Sequence, residues 1–489
     1  MTVRGTLVAN YAAQGWAALM AIAVIPAYVR LLGLEAYALI GFFMGLGLWL
    51  TLLDLGMGPT LMRRAARGQK DVRSLLHGFE LLAFVLAGLV MLTMALGAET
   101  MASGWFGQNG LARERMASAI MLMGLAAALR QPEMLYRATL VGLGQQQQLA
   151  AIVAGLATLR GPGAVAVLYV VDRSLTVFFL WQAVVGLLGL AIYRASIHSH
   201  LPAGPGRIGL TALCAEKGFT GSMALFSLLS ILLLHADKLI LPRLLDLGGY
   251  GLYMFAFSMA ALIGLLSQPI QDISWPRFVR AHDAGDRVRL SHEFHRSATI
   301  LAALSAPPLM LMLWFPVSII HMWSGDEKLA QLAAALLPIL ALVTWLHTTS
   351  LLVEQVQIAA GRVTALLSGK AVGATFLIVG LFQFIEPDAA LWAACLVAAA
   401  LLLQQLFILP GGMALMAAGT WHRWLFGAVG RPLLAALIPV AAIRWILPEH
   451  QLDRVQSFVM LLVAGTLAVV AVVATSPLLR GEVRKFVKQ

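Results

Sequence analysis

Ionisable and amide side chains interrupt long apolar runs in this 489-residue chain at a small number of positions. Their spacing limits the chemistry they can do. Arg130, Glu133 and Arg137 fall at i, i+3 and i+7, on one face of a helix. These groups can face a cavity or a partner on another helix, or Arg130 and Glu133 can neutralise each other; both readings stand. His347, Ser350, Glu354 and Gln357 follow at 3-4-3 spacing, a stripe suited to a wet cavity or a proton-responsive site. Asn10 and Gln14 lie one turn apart on the first apolar run, and Gln268, Gln271, Asp272 and Trp275 cluster beside Pro269 and Pro276. Arg30, Asp54, Asp237 and Lys238 complete the set.

An ionisable side chain at the centre of a membrane helix costs about 2.5–3.5 kcal/mol, so it normally faces a cavity or a partner. Each position also has a plainer role. Arg30 and Lys238, near the outer ends of their helices, can snorkel to the interface. Asn10 and Gln14 can bridge helices. Asp54 precedes Leu55-Gly56-Met57-Gly58-Pro59, where a broken helix end needs a hydrogen-bond acceptor. The acidic and histidine positions that could couple transport to an ion are Asp54, Asp237, Asp272, His347 and Glu354. Those that could line a cavity are Asn10, Gln14, Arg30, Arg130, Glu133, Arg137, Lys238, Gln268, Gln271, Trp275 and Gln357.

Several chemistries lack their residues. No phosphate-cradling G-x-x-x-x-G-K-[ST] occurs, and Gly361 to Lys370 has the wrong spacing for one. Neither G-x-S-x-G nor H-E-x-x-H is present. Cys214 and Cys395 are too far apart in sequence for a metal motif, and both are expected to be buried and inert. No cofactor or metal is expected, and the chain does not read as an enzyme. The net charge of +11 resides mainly in short loops, which fits the cytoplasmic side of a membrane protein and not nucleic-acid binding.

The elements that position these groups are membrane helices. Apolar residues make up 60% of the chain and charged ones only 12%, against about a quarter in soluble domains. About fourteen runs are long enough to span a hydrocarbon core, beginning near residues 7, 36, 75, 116, 148, 174, 219, 249, 297, 330, 366, 390, 431 and 455. The fifth is interrupted by Arg160 and Gly161-Pro162-Gly163. Basic clusters at Arg63–Arg73, Arg194–Lys217, Arg277–Arg296 and Arg480–Lys488 put both termini in the cytoplasm. The first run reads as a retained helix. Pro26, Pro59, Pro269 and Pro276 can bend helices, as carriers that alternate access require.

The stretch from Arg30 to Arg64 is echoed in the stretch from His235 to Phe278. Both contain R-L-L-x-L-x-x-Y-x-L, placing Arg30, Leu34 and Tyr37 against Arg243, Leu247 and Tyr250, and both run on through a span to prolines and a basic loop. The expected architecture is all-α and polytopic. Residues 1–214 and 215–425 form two six-helix lobes related as parallel repeats, with a site between them, and residues 426–489 add two helices and a basic tail.

The motifs VIPAYVRLLGLEAYALIG, LLDLGMGPTLMRR and DKLILPRLLDLGGYGLY, with Asn10 and Gln14 on the first span, resemble bacterial polysaccharide flippases of the Wzx type. These belong to the multidrug/oligosaccharidyl-lipid/polysaccharide exporter superfamily. The resemblance implies a transporter in the bacterial cytoplasmic (inner) membrane. Its cargo would be an undecaprenyl-pyrophosphate-linked oligosaccharide, passed to the outer leaflet by alternating access for O-antigen, capsule or exopolysaccharide synthesis. It also implies a central, often cationic cavity and a polysaccharide polymerase as partner. The alternatives are a cation-coupled multidrug exporter of the same superfamily, then a membrane glycosyltransferase or ligase.

Overall fold

A computed structural model describes residues 3–54, 57–66, 72–105, 113–201, 217–383, 389–447 and 453–481. Every regular element among them is helical. Lipid offers no hydrogen bonds, so an apolar chain crossing it must satisfy its backbone within itself, and helices do that. Among the described residues, thirteen helical segments are long and apolar enough to cross a membrane. The fourth expected run is the exception: it forms consecutive helices Arg113–Ala128 and Arg130–Gly142. The charged stripe that makes this pair too polar starts at Arg130, near its middle.

Two compact units divide the chain. The first comprises Met1–Ile231 with Lys238–Gly251, the second Leu232–Asp237 with Leu252–Gln489. In the first unit, helix Val3–Ala23 packs on Gln146–Thr158, Val72–Thr100 on Arg113–Ala128, and Met57–Ala66 on Arg130–Gly142. Phe79, Tyr136, Leu140 and Tyr193 anchor its buried core. The polar tip of Tyr136 donates to buried Glu80 at 2.7 Å. Gly142 lets two helices touch backbone to backbone, since a Cβ there would stand 2.5 Å from the Met62 carbonyl oxygen.

In the second unit, Leu336–Ala359 and Thr364–Gln383 both pack on Ala389–Met413. Helix Arg287–Trp314 packs on Leu336–Ala359 and on Arg431–Ile446, which in turn lies against Arg454–Thr475. Loop residues fasten to helices here: the Ala417 N–H donates to Ser291 at 2.8 Å. Asp453 and Gln456 form a reciprocal cap at the start of the last helix.

The repeated motif breaks a helix twice, by different turns. The helix bearing Arg30 ends at Leu32, Gly33 turns with φ 87°, and a new helix starts at Leu34. The helix bearing Arg243 ends at Leu244 and the next starts at Leu247, with the Gly249 N–H donating to Asp246 at 3.0 Å. Tyr37 and Tyr250 are both fully buried, and Tyr250 donates to the Lys238 carbonyl at 2.9 Å. Cys395 is exposed on its helix, contrary to the expected buried thiol, because it shares a face with exposed Trp392, Leu402 and Leu406; Cys214 lies outside the described residues.

Candidate functional site

The first unit holds a cavity of about 460 Å³. Its polar wall is built from Arg130, Glu133, Arg137, Arg160, Gln14 and Gln182, its aromatic wall from Tyr28, Phe43, Phe178 and Tyr193. The i, i+3, i+7 spacing brings the first three charged groups to one side, as the sequence pattern required.

Arg160 enters from a helix distorted for that purpose. The fifth span is continuous from Gln146 to Val170, but Pro162 supplies no N–H and the segment Leu159–Gly163 widens into a π-turn. Three side chains bind the carbonyls at this turn. Trp181 donates to Leu159 at 2.7 Å, Gln182 to Arg160 at 2.9 Å, and the Tyr28 hydroxyl is 3.1 Å from the Gly161 oxygen. The interruption seen in the sequence is therefore a built distortion within one span. It directs the Arg160 side chain at Glu133, with which it forms a two-point ion pair, one contact being 3.3 Å.

That pairing decides against mutual neutralisation of Arg130 and Glu133, one of the two readings left open by their spacing. Arg130 instead lies over the Phe43 ring at 4.6 Å, a cation–π contact. The space beside it exists because residue 47 is glycine: a Cβ there would come within 3.0 Å of the guanidinium. Neither Arg130 nor exposed Arg137 makes a hydrogen bond or ion pair among the described residues. With one carboxylate against three guanidinium groups, the cavity is formally +2.

The remaining first-unit candidates are placed elsewhere. Gln14 lines the cavity and its helix contacts the fifth span, where Trp16 donates to Thr158 at 2.9 Å. The side chain of Asn10 lies outside the described residues. Arg30 is exposed near the end of its helix. Asp54 accepts the Gly58 N–H at 3.2 Å, serving a helix start as a backbone acceptor. Lys238 is only 3% exposed, which removes the snorkelling option for it.

The second unit contains a different polar assembly. Glu354 and Lys370 form a buried ion pair at 3.0 Å, their side chains 3% and 1% exposed. Gln357, one turn on, donates to the Ile408 carbonyl at 2.9 Å. The fully buried Gln404, one turn before Ile408, has both amide atoms without a hydrogen-bond partner. Ser350 donates back to its own helix. His347 is half-buried, with Nδ1 unpartnered. Asp237 is fully buried and accepts from the Tyr253 hydroxyl. Gln268 donates to Asp272 at 3.0 Å, Gln271 to Ser267 at 3.0 Å, and Trp275 stands half-exposed on the same helix. No group of histidine, cysteine and acidic side chains among the described residues could hold a metal ion.

Sequence reasoning assigned no role to Arg160 or Lys370. Each is a cation in an apolar run with no carboxylate three or four residues away. Such a residue must find its counter-charge on another helix, and that signal identifies both.

The arrangement of helices is one already known. A family profile described as MatE matches residues 250–381. The chain is similar in structure to a lipid II flippase, MurJ, in an inward closed conformation, with TM-score 0.68 and 11% identity, covering 96% of this chain and 98% of that one. It is also similar to an inward-facing multidrug resistance MATE family transporter of the MOP superfamily, with TM-score 0.57 and 14% identity, covering 83% and 94%. The MATE multidrug transporter DinF-BH matches at the same values. No curated protein sequence matches the chain. The fold is thus the all-helical one shared by these transporters.

Proposed function

We propose that the chain moves a pyrophosphate-linked lipid oligosaccharide between membrane leaflets by alternating access. The observation that carries this reading is Arg130, a cation beside a cavity with no anionic partner of its own. A charge held in that setting is costly unless something arrives to neutralise it. A pyrophosphate diester carries about two negative charges, matching the formal +2 of the wall, and guanidinium groups bind such oxygens at two points. Gln14, Gln182 and the tyrosine faces supply hydrogen bonds and stacking for sugar rings. The fold, shared with a lipid II flippase and with MATE transporters, supports transport as the class of function.

A cation-coupled drug exporter is the second reading because of that shared fold, but a cationic drug would be repelled by this wall. A bacterial cytoplasmic membrane with both termini inside, the two-lobe-plus-tail division and a polymerase partner belong to the proposal. So does ion coupling at Asp237, His347 or Glu354. The test is translocation in proteoliposomes of a short-chain polyprenyl-pyrophosphate sugar carrying a fluorophore. Arg130→Ala should slow it at least tenfold, and exposed Arg30→Ala should change it less. Equal rates in wild type and Arg130→Ala, or transport of a cationic dye in place of the lipid, refute the reading.

A further inference from the structure

The cavity wall contains one group that an anion-binding site would not need. Glu133 points a carboxylate at Arg160 in the same wall that receives the ligand. It lies three residues from Arg130 and four from Arg137, both at helical contact distance in sequence, yet pairs with neither. It reaches instead to the arginine on another span, leaving the two on its own helix to the cavity. The pair is not sealed: the Glu133 side chain is 5% exposed, but that of Arg160 is 23% exposed. The Arg160 backbone is fixed by Tyr28 and Gln182, so the guanidinium can turn from Glu133 only by side-chain rotation.

We propose that Glu133 is a built-in competitor for the anionic head group, one that lowers affinity so that the cargo can leave. This rests on the reading of the cavity as a pyrophosphate site. Binding without Glu133 would engage three guanidinium groups at once, and such a site would hold a doubly charged head group too long for transport. With Glu133 present, the entering anion takes Arg130 and Arg137 first and must displace the carboxylate to gain Arg160. On exit, Glu133 recaptures Arg160. Because the exchange swaps one charge-assisted contact for another, it holds the net cost of release down.

A carboxylate that merely joined two helices would behave differently, and binding separates the roles. Purified protein is titrated with farnesyl diphosphate below its micellar concentration, with inorganic pyrophosphate as a second probe. Glu133→Gln should bind farnesyl diphosphate about tenfold more tightly, mainly through slower dissociation, even as its melting midpoint falls. Glu133→Asp, one methylene shorter, should fall between. Arg160→Ala should weaken binding. Unchanged or weaker binding by a folded Glu133→Gln overturns the competitor role. Failure of both Glu133 variants to fold overturns it as well, since the pair is then structural. If Arg130→Ala binds like wild type, the pyrophosphate reading itself falls. If Arg130→Ala weakens binding and Glu133→Gln does not tighten it, only the competitor role falls. Equal affinity for inorganic pyrophosphate overturns the lipid-linked cargo.

Discussion

Lys370→Met is the sharpest test of the second unit's construction. The Glu354–Lys370 pair is almost sealed, with side-chain exposures of 3% and 1%, so solvent screening hardly weakens it. Removing the ammonium leaves a carboxylate buried among apolar helices, and breaking such a pair costs about 3–5 kcal/mol. Methionine is close to lysine in volume, so the loss comes from charge and not from a cavity. The packing allows little relaxation: Gly369 and Gly373 beside Lys370 let Ala389–Met413 approach so closely that an added Cβ would stand 3.0 Å from a carbonyl oxygen. Replacing both partners, as Glu354→Met with Lys370→Met, removes both buried charges and should return most of the lost stability. The measurement is the melting midpoint of detergent-purified protein, read by aggregation on size exclusion. A clear fall for Lys370→Met with recovery in the double variant is expected. Single variants that melt like wild type would refute the reasoning. So would a double variant as unstable as the two single losses added together.

Two glycine substitutions probe the first unit. Gly251→Ala puts a Cβ 2.5 Å from the Leu34 carbonyl oxygen, where one repeated motif touches the other, and should cost about 1–3 kcal/mol in the same melting assay. Wild-type stability there would show that the contact is not tight. Gly47→Val crowds the Arg130 guanidinium and should weaken farnesyl diphosphate binding about tenfold with little change in melting. Undiminished affinity would mean that Arg130 does not need its place over Phe43.

The helices were legible because membrane insertion writes itself into composition: a span needs about twenty apolar residues and its cytoplasmic loops carry arginine and lysine. The repeat around Arg30 and Arg243 was legible too, since two helix breaks with buried tyrosines require similar residues in similar order. Arg130, Glu133 and Arg137 were found because their proximity depends only on helical period. Their partners were not, because a contact between Arg160 and Glu133, or Lys370 and Glu354, depends on how separate helices pack. The sequence pattern therefore exposed Glu354 as a free acidic group beside His347, whereas packing supplies it with a counter-charge. Asp54 shows the reverse case, because its local partner, the Gly58 N–H, is only four residues away.

The widened turn at Leu159–Gly163 has a mechanical consequence. Its carbonyls are held by side chains from Ile25–Leu32 and Leu175–His198, so a shift of this backbone would break several hydrogen bonds together. The first, fifth and sixth spans are tied at that depth like the leaves of a riveted spring. Any change of partner by Arg160 would therefore have to come from its own side-chain torsions and not from the backbone at this turn.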